Sequence, residues 1–386
     1  MFLQVTAEVS DVVHHGHFVV PVAWCRAPRR QSSSRTPRRL PVTWLDPGPF
    51  LRGVAWLDNG RAVRADPADL ARLPWDTAER AELPIGVRLE FTARGADAVE
   101  IRYRAAVPGP TDALRDLAHC FALWEGGHCV SETFTEPAEE AVVTISLPGS
   151  CQGPFTIYPP EGQSPVIVGL RALGGSLAPA ALQPRWLVHG DSITEGWWST
   201  RPAHSWPAVA GRALGLDTVN LGHAGAARGE LPTAQQLAAL PADVITLAFG
   251  TNCWTGIPCS APLLYETTRA FIALVRQGHP DTPLLLVSPV LRPDAEQTPN
   301  PLGATLAELR TAMEKAVRDR MRDGAGGGSG QEVGDKRLAL LPGRDLIGPD
   351  QLADGVHPND EGHAALAAAV AGALRPALSS IRPSGA

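Results

Sequence analysis

The hydrophobic period of this chain changes once, near Gly174, and that change divides it. Upstream, from Arg52 to Leu173, apolar residues recur at every second position. In "GVRLEFTA", Val87, Leu89 and Phe91 alternate with Arg88, Glu90 and Thr92; in "AVEIRYRA", Val99, Ile101 and Tyr103 alternate with Glu100, Arg102 and Arg104. "EAVVTISLPG", "PFTIYPP" and "PVIVGLRAL" continue the pattern between Gly and Pro turns. Such strands have one apolar face each, and a series of them buries those faces together as an antiparallel sandwich. Downstream, from Arg185, apolar runs ("RWLVHG", "DTVNLG", "DVITLAFG", "PLLLVSPV", "RLALLPG") alternate with helical segments near "WPAVAGRALG", "ELPTAQQLAAL", "APLLYETTRAFIALVRQG" and "ATLAELRTAMEKAVRDRM". A last helix follows "HPNDEG". Strands apolar on both faces, joined by helices, make a mainly parallel sheet covered on both sides. "GGSLAPAALQP" (Gly174 to Pro184), between the two halves, has linker composition. The reading is an irregular, arginine-rich lead-in over 1–50, a β-sandwich over 51–175 and a parallel-sheet α/β domain over 184–380.

Length agrees, because 386 residues exceed what one core usually organises. The composition, 44% apolar with a net charge of −6, is that of an ordinary globular protein. No apolar run is long enough to span a bilayer, and "MFLQVTAEVSDVVHHGHFVV" lacks the pattern of a secretory leader, so a cytoplasmic location is expected. Six cysteines (Cys25, Cys120, Cys129, Cys151, Cys253, Cys259) follow no metal-ligand spacing and are expected as free thiols. "CRAPRRQSSSRTPRRL" gathers six arginines without an acid. In a chain of negative net charge with no nucleic-acid motif, it reads as a solvated lead-in, and no nucleic-acid partner is expected. "HHGH" (His14, His15, His17) has no carboxylate beside it to complete a metal site, and "GAGGGSGQEVGDK" (Gly324 to Lys336) reads as a surface excursion.

Ligands of an open parallel sheet collect at the carboxyl ends of its strands. Four polar signals fall there. Ser192 follows the first strand in "HGDSIT", Gly225 the second in "NLGHAG", and Asn252 the third in "FGTN"; Asp354 and His357 stand in "DGVHPND" before the last helix. Singly, each is ordinary turn or cap chemistry. Together, in this order, they can activate a nucleophile. A serine hydroxyl attacks well only when a base takes its proton, and histidine suits that task near neutral pH. An aspartate on the far ring nitrogen fixes the tautomer and stabilises the imidazolium.

The blocks "GDSIT", "NLGHAG", "GTN" and "DGVHP" resemble the SGNH/GDSL hydrolase superfamily over about Arg185 to Leu374. "STRPAHSWPAVAGRALG", "SPVLRPDAEQ" and "FLRGVAWLDNGRAVRADPADLARLP" look like the branch with an added amino-terminal β-domain. The resemblance implies a flavodoxin-like three-layer α/β/α hydrolase preceded by a jelly-roll-like β-sandwich. It implies Ser192 as nucleophile, His357 as base and Asp354 as its orienter. The oxyanion donors it implies are the backbone N–H groups of Ser192 and Gly225 and the Asn252 amide, with glycine at 225 leaving the backbone open to close approach. No cofactor or metal is implied. The sequence departs from the pattern at Cys253, where many relatives carry an acid, and at Ile193 in place of the name-giving leucine. No Gly-x-Ser-x-Gly elbow surrounds Ser192, and no Gly-rich turn leads into Lys-Ser or Lys-Thr, which disfavours an α/β-hydrolase and a phosphate cradle.

The family deacylates sugars, lipids, thioesters and small esters. Trp197, Trp254 and Asp191 are the candidate substrate contacts, since aromatic faces stack on sugars or line acyl pockets, whereas Trp198 is expected in the core. The expected activity is that of a serine esterase cleaving small, acetyl-like esters on a carbohydrate or small metabolite. Three alternatives stand beside it: an acyltransferase or tailoring enzyme using the same acyl-serine, a lipase or thioesterase for longer chains, and a silent binding module.

Overall fold

The computed structural model describes residues 43–105, 120–149, 152–322 and 334–379. The arginine-rich stretch, the "HHGH" histidines, Cys25, Cys151 and most of the Gly324 to Lys336 excursion lie outside the described residues.

The first half contains β1 (Leu51–Arg52), β2 (Trp56–Asp58), β3 (Arg61–Val63), α1 (Trp75–Ala81), β4 (Arg88–Arg104), β5 (Cys120–Glu125), β6 (His128–Phe134), β7 (Ala141–Ser146), β8 (Phe155–Tyr158) and β9 (Val166–Pro179). The expected antiparallel region is built round one shared strand. β4 pairs with β9 along one edge, and with β8 and then β7 along the other. The inward residues of the alternating pattern, among them Phe91, Val99, Ile101, Phe121, Ile145 and Phe155, meet in one core. Two details differ from the sequence reading. "GVRLEFTA" and "AVEIRYRA", quoted above as separate runs, lie on one strand of 17 residues with a register shift between Ala96 and Ala98. The supposed linker begins as strand, since β9 continues to Pro179. The same glycines explain both. A side chain at Gly175 would meet the Arg94 carbonyl oxygen at 1.8 Å, so "GG" lets β9 follow the bulge of β4 instead of leaving the sheet.

The second half runs β10 (Arg185–Gly190), α2 (Ser192–Glu195), α3 (Trp206–Leu214), β11 (Asp217–Gly222), α4 (Leu231–Ala239), β12 (Val244–Ala248), α5 (Ala261–Gly278), β13 (Leu284–Val287), α6 (Leu306–Arg322), β14 (Leu338–Leu341) and α7 (Asp360–Leu378). All five strands are parallel, in the order β11-β10-β12-β13-β14. This is the flavodoxin-like order, whose switch point is the carboxyl end of β10. Successive residues of one strand feed opposite layers. Leu187, Ile245 and Leu286 pack with Leu237, Phe271 and Met313 of α4, α5 and α6. Trp186, Val244 and Leu285 pack with Trp206 and Val370 of α3 and α7. Caps set the helix ends: Ser260 accepts the Leu263 N–H at the start of α5, and Asn359 accepts the Gly362 N–H at the start of α7.

From Thr43 onward the two halves form one unit. Arg88 of β4 pairs with Asp217 of β11 at 3.1 Å, and the same carboxylate accepts the Gly53 N–H at 2.8 Å. Arg212 of α3 donates to the Tyr158 hydroxyl at 3.0 Å, with its guanidinium 4.6 Å from the centre of the Trp124 ring. Among the described residues, no helix is long and apolar enough to cross a membrane.

Candidate active site

β10 is apolar and buried almost throughout, so the chain can turn only at its end, and there the polar residues begin. Asp191 caps the single turn of α2, accepting the Ile193 N–H at 3.0 Å. Ser192 opens that turn and is 8% exposed. α2 lies directly on the end of β11, where a Cβ at Gly222 would stand 2.2 Å from the Glu195 nitrogen; glycine at 222 is what allows the approach.

The loop before α7 brings in the other two candidates. His357 Nε2 lies 2.8 Å from Ser192 Oγ, and His357 Nδ1 lies 2.8 Å from Asp354 Oδ2. The second Asp354 oxygen accepts the backbone N–H groups of Val356 at 2.9 Å and His357 at 2.8 Å. Partial burial raises the Asp354 pKa, but these hydrogen bonds and the adjacent imidazole outweigh it and hold the carboxyl below its usual range. Asp354 is therefore ionised wherever histidine is a useful base. The Trp197 ring stacks on the imidazole, with centroids 5.3 Å apart and planes at 28°. Serine, imidazole and carboxylate thus form a continuous chain of hydrogen bonds from the end of β10 to the start of α7.

The three implied oxyanion donors stand after three adjoining strands, β11, β10 and β12. The backbone N–H groups of Ser192 and Gly225 have no acceptor among the described residues. Asn252 donates one amide hydrogen to the Ala226 carbonyl at 2.8 Å, tying its loop to that of Gly225 and leaving the other hydrogen for a ligand. Glycine at 225 also answers to a backbone requirement. Its φ is +75°, which side chains rarely adopt, and a Cβ there would meet no protein atom within 4 Å.

The other candidates are placed differently. Asp191 is 2% exposed, and its carboxylate is engaged in the helix cap, so the structure gives it no open face towards a substrate. Burial pushes its pKa up to about 6 against the hydrogen bonds from Ile193 and Thr251. Trp197 is occupied on one face by His357, and its indole N–H donates to Glu195 at 3.2 Å. The Trp254 N–H donates to the Thr298 carbonyl at 2.7 Å, and the Arg292 guanidinium lies 4.7 Å from its ring centre. Trp198 is 53% exposed with φ +62°, so the expectation that it packs in the core is corrected: the turn after Gly196 swings it outward. Cys253 is buried and hydrogen-bonded to Cys259, and that bond together with burial pushes its thiol well up, so it supports the loop as a neutral group.

Sequence reasoning missed a buried cluster behind the site. Glu195 meets Arg64 and Arg80, and next to them His189 and His223 are buried. Burial lowers the His189 pKa to about 4; burial and then the charge of Arg64 lower that of His223, so both rings are neutral at pH 7. The available signal was Glu195 itself, a charged residue in a turn too tight to reach water.

Residues 188–365 match the model of the GDSL-like lipase/acylhydrolase family. No curated protein sequence matches the chain. Among solved structures, the chain is similar to a salicylyl-acyltransferase from a tetracycline biosynthetic pathway, at 23% identity and a TM-score of 0.74 over 88% of this chain and 98% of that one. It is similar to a protein from Bacteroides ovatus described as a GDSL-like lipase, at 19% identity and a TM-score of 0.70, again over 88% and 98%. A family two carbohydrate esterase from Clostridium thermocellum, solved with cellohexaose, shares 15% identity with a TM-score of 0.54 over 76% of this chain and 93% of that one. At these identities the likeness is one of fold.

Proposed function

We propose, for a chain whose residues 188–365 match the GDSL-like lipase/acylhydrolase family model, that it transfers acyl groups from small esters by way of an acyl-serine at Ser192. The observation that carries this is the pair of 2.8 Å contacts, His357 Nε2 to Ser192 Oγ and His357 Nδ1 to Asp354 Oδ2. As Ser192 Oγ attacks the ester carbon, His357 Nε2 takes its proton and Asp354 balances the imidazolium. The carbonyl oxygen gains negative charge and is met by the N–H groups of Ser192 and Gly225 and by the free hydrogen of Asn252. When the tetrahedral intermediate collapses, His357 returns the proton to the departing alcohol. Water, activated by the same imidazole, then releases the acid.

The substrate class we propose is a small, acetyl-like ester of a carbohydrate or small metabolite. The similarity in fold to a carbohydrate esterase supports it. A second reading has its own support in the similarity to the salicylyl-acyltransferase: an alcohol in place of water would accept the acyl group. The same triad serves both outcomes, so product analysis separates them. The deciding experiment assays p-nitrophenyl acetate, acetylated sugars and long-chain esters on wild type and Ser192→Ala side by side, with and without candidate alcohol acceptors. Short esters cleaved only by wild type support the proposal; cleavage confined to long chains overturns its substrate class.

A further inference from the structure

Glu195 collects donors from both sides of the site. Oε2 accepts the Ala224 N–H at 2.8 Å, one residue before Gly225. Oε1 accepts the Trp197 indole N–H at 3.2 Å, and that indole is the ring stacked on His357. Arg80 of α1 engages both oxygens, Nη2 with Oε1 and Nε with Oε2 at 3.3 Å. Arg64, just after β3, lies 3.6 Å from Oε2 through its Nη2. Arg64 also donates to the Leu83 carbonyl at 2.7 Å and to the carbonyl of Gly222, where the oxyanion loop leaves β11. Burial lowers the Arg64 pKa to about 10, against the pull of Glu195, and it remains a cation at neutral pH.

We propose that Glu195 is a positioning residue for acyl transfer: one buried carboxylate, clamped by Arg64 and Arg80, holds the oxyanion loop through Ala224 and the support of the base through Trp197 in a single register. The proposal rests on the reading of Ser192 as nucleophile. It gives Arg64 and Arg80, which lie outside the parallel-sheet half, a part in holding the geometry of the site. A displaced oxyanion loop or imidazole would cost transition-state binding and leave ground-state binding nearly untouched.

The test measures kcat and KM for p-nitrophenyl acetate in the full chain, with thermal unfolding as the check on folding. Glu195→Gln keeps the size of the side chain but removes its charge and one acceptor. The expected result is a kcat lower by roughly 10- to 100-fold with KM changed by less than about threefold. A folded Glu195→Gln with kcat within about twofold of wild type, or a loss confined to KM, overturns the proposal. If Glu195→Gln does not fold, Trp197→Phe decides. It keeps an aromatic ring against His357 but removes the indole N–H together with the pyrrole ring, so kcat should fall roughly 3- to 10-fold, and an unchanged kcat overturns the proposal. Wild type inactive on every ester sinks the acyl-transfer reading and this one with it, whereas an active wild type beside an unimpaired Glu195→Gln sinks this one alone.

Discussion

Two carboxylates stand behind Ser192, and they are held in opposite ways. Asp354 meets His357 three residues along one loop, and its side chain is 33% exposed. Glu195 has no exposed side-chain surface, and it meets Arg80 across 115 positions of sequence. The first arrangement is cheap in stability because water shares the charge. The second buries a charge cluster whose members depend on one another. The chemistry is therefore expected at the exposed pair and the fixed geometry at the buried one.

That contrast is tested hardest by Asp354→Asn. The amide favours the wrong tautomer of His357, and kcat should fall by about 10³- to 10⁴-fold while the urea midpoint hardly moves. An equally large stability loss would break the comparison. Glu195→Ala should show the reverse emphasis in stability. Removing the carboxylate leaves Arg64 and Arg80 facing each other, at about 3–5 kcal/mol in urea unfolding. Asn252→Ala removes one of the proposed oxyanion donors and should lower kcat about 10²- to 10³-fold, or roughly 3–4 kcal/mol, with KM little changed.

Asp191 sharpens the point through pH. Its folded pKa, about 6, lies above the ordinary 3.8, so its ionisation opposes folding. The penalty is fully present above pH 6 and is relieved as pH falls towards 3.8; it amounts to about 3 kcal/mol. Asp191→Asn should remove that part of the pH dependence of unfolding, seen as the difference between the two profiles from pH 7 to 4. The smallest effect belongs to Glu140, whose pair with Arg102 is exposed on the sheet surface. Glu140→Gln should change stability by less than about 1 kcal/mol.

The parallel-sheet half was legible because its signals are local. Buried strands are short apolar runs, helices carry a 3.6-residue period, and Ser192, Gly225 and Asn252 follow strand ends by two to four positions. Asp354 and His357 could be paired on paper for the same reason. The first half was read correctly as alternating strands, but "ARGADA" looks like a turn until Gly174 and Gly175 are seen beside it in the partner strand. Glu195 stood in plain view in "GDSITEG", yet its role depends on two arginines from another part of the chain, and no spacing rule connects them. Trp198 was misjudged because composition favours burying tryptophan, while the backbone at Gly196 decides which way it turns.

The central claim is that His357 activates Ser192, and covalent labelling by a fluorophosphonate probe measures this most directly. The account predicts one labelled residue, Ser192, with labelling lost in Ser192→Ala and slowed by orders of magnitude in His357→Gln. Labelling that persists in Ser192→Ala, or proceeds at the wild-type rate without the imidazole, would contradict it.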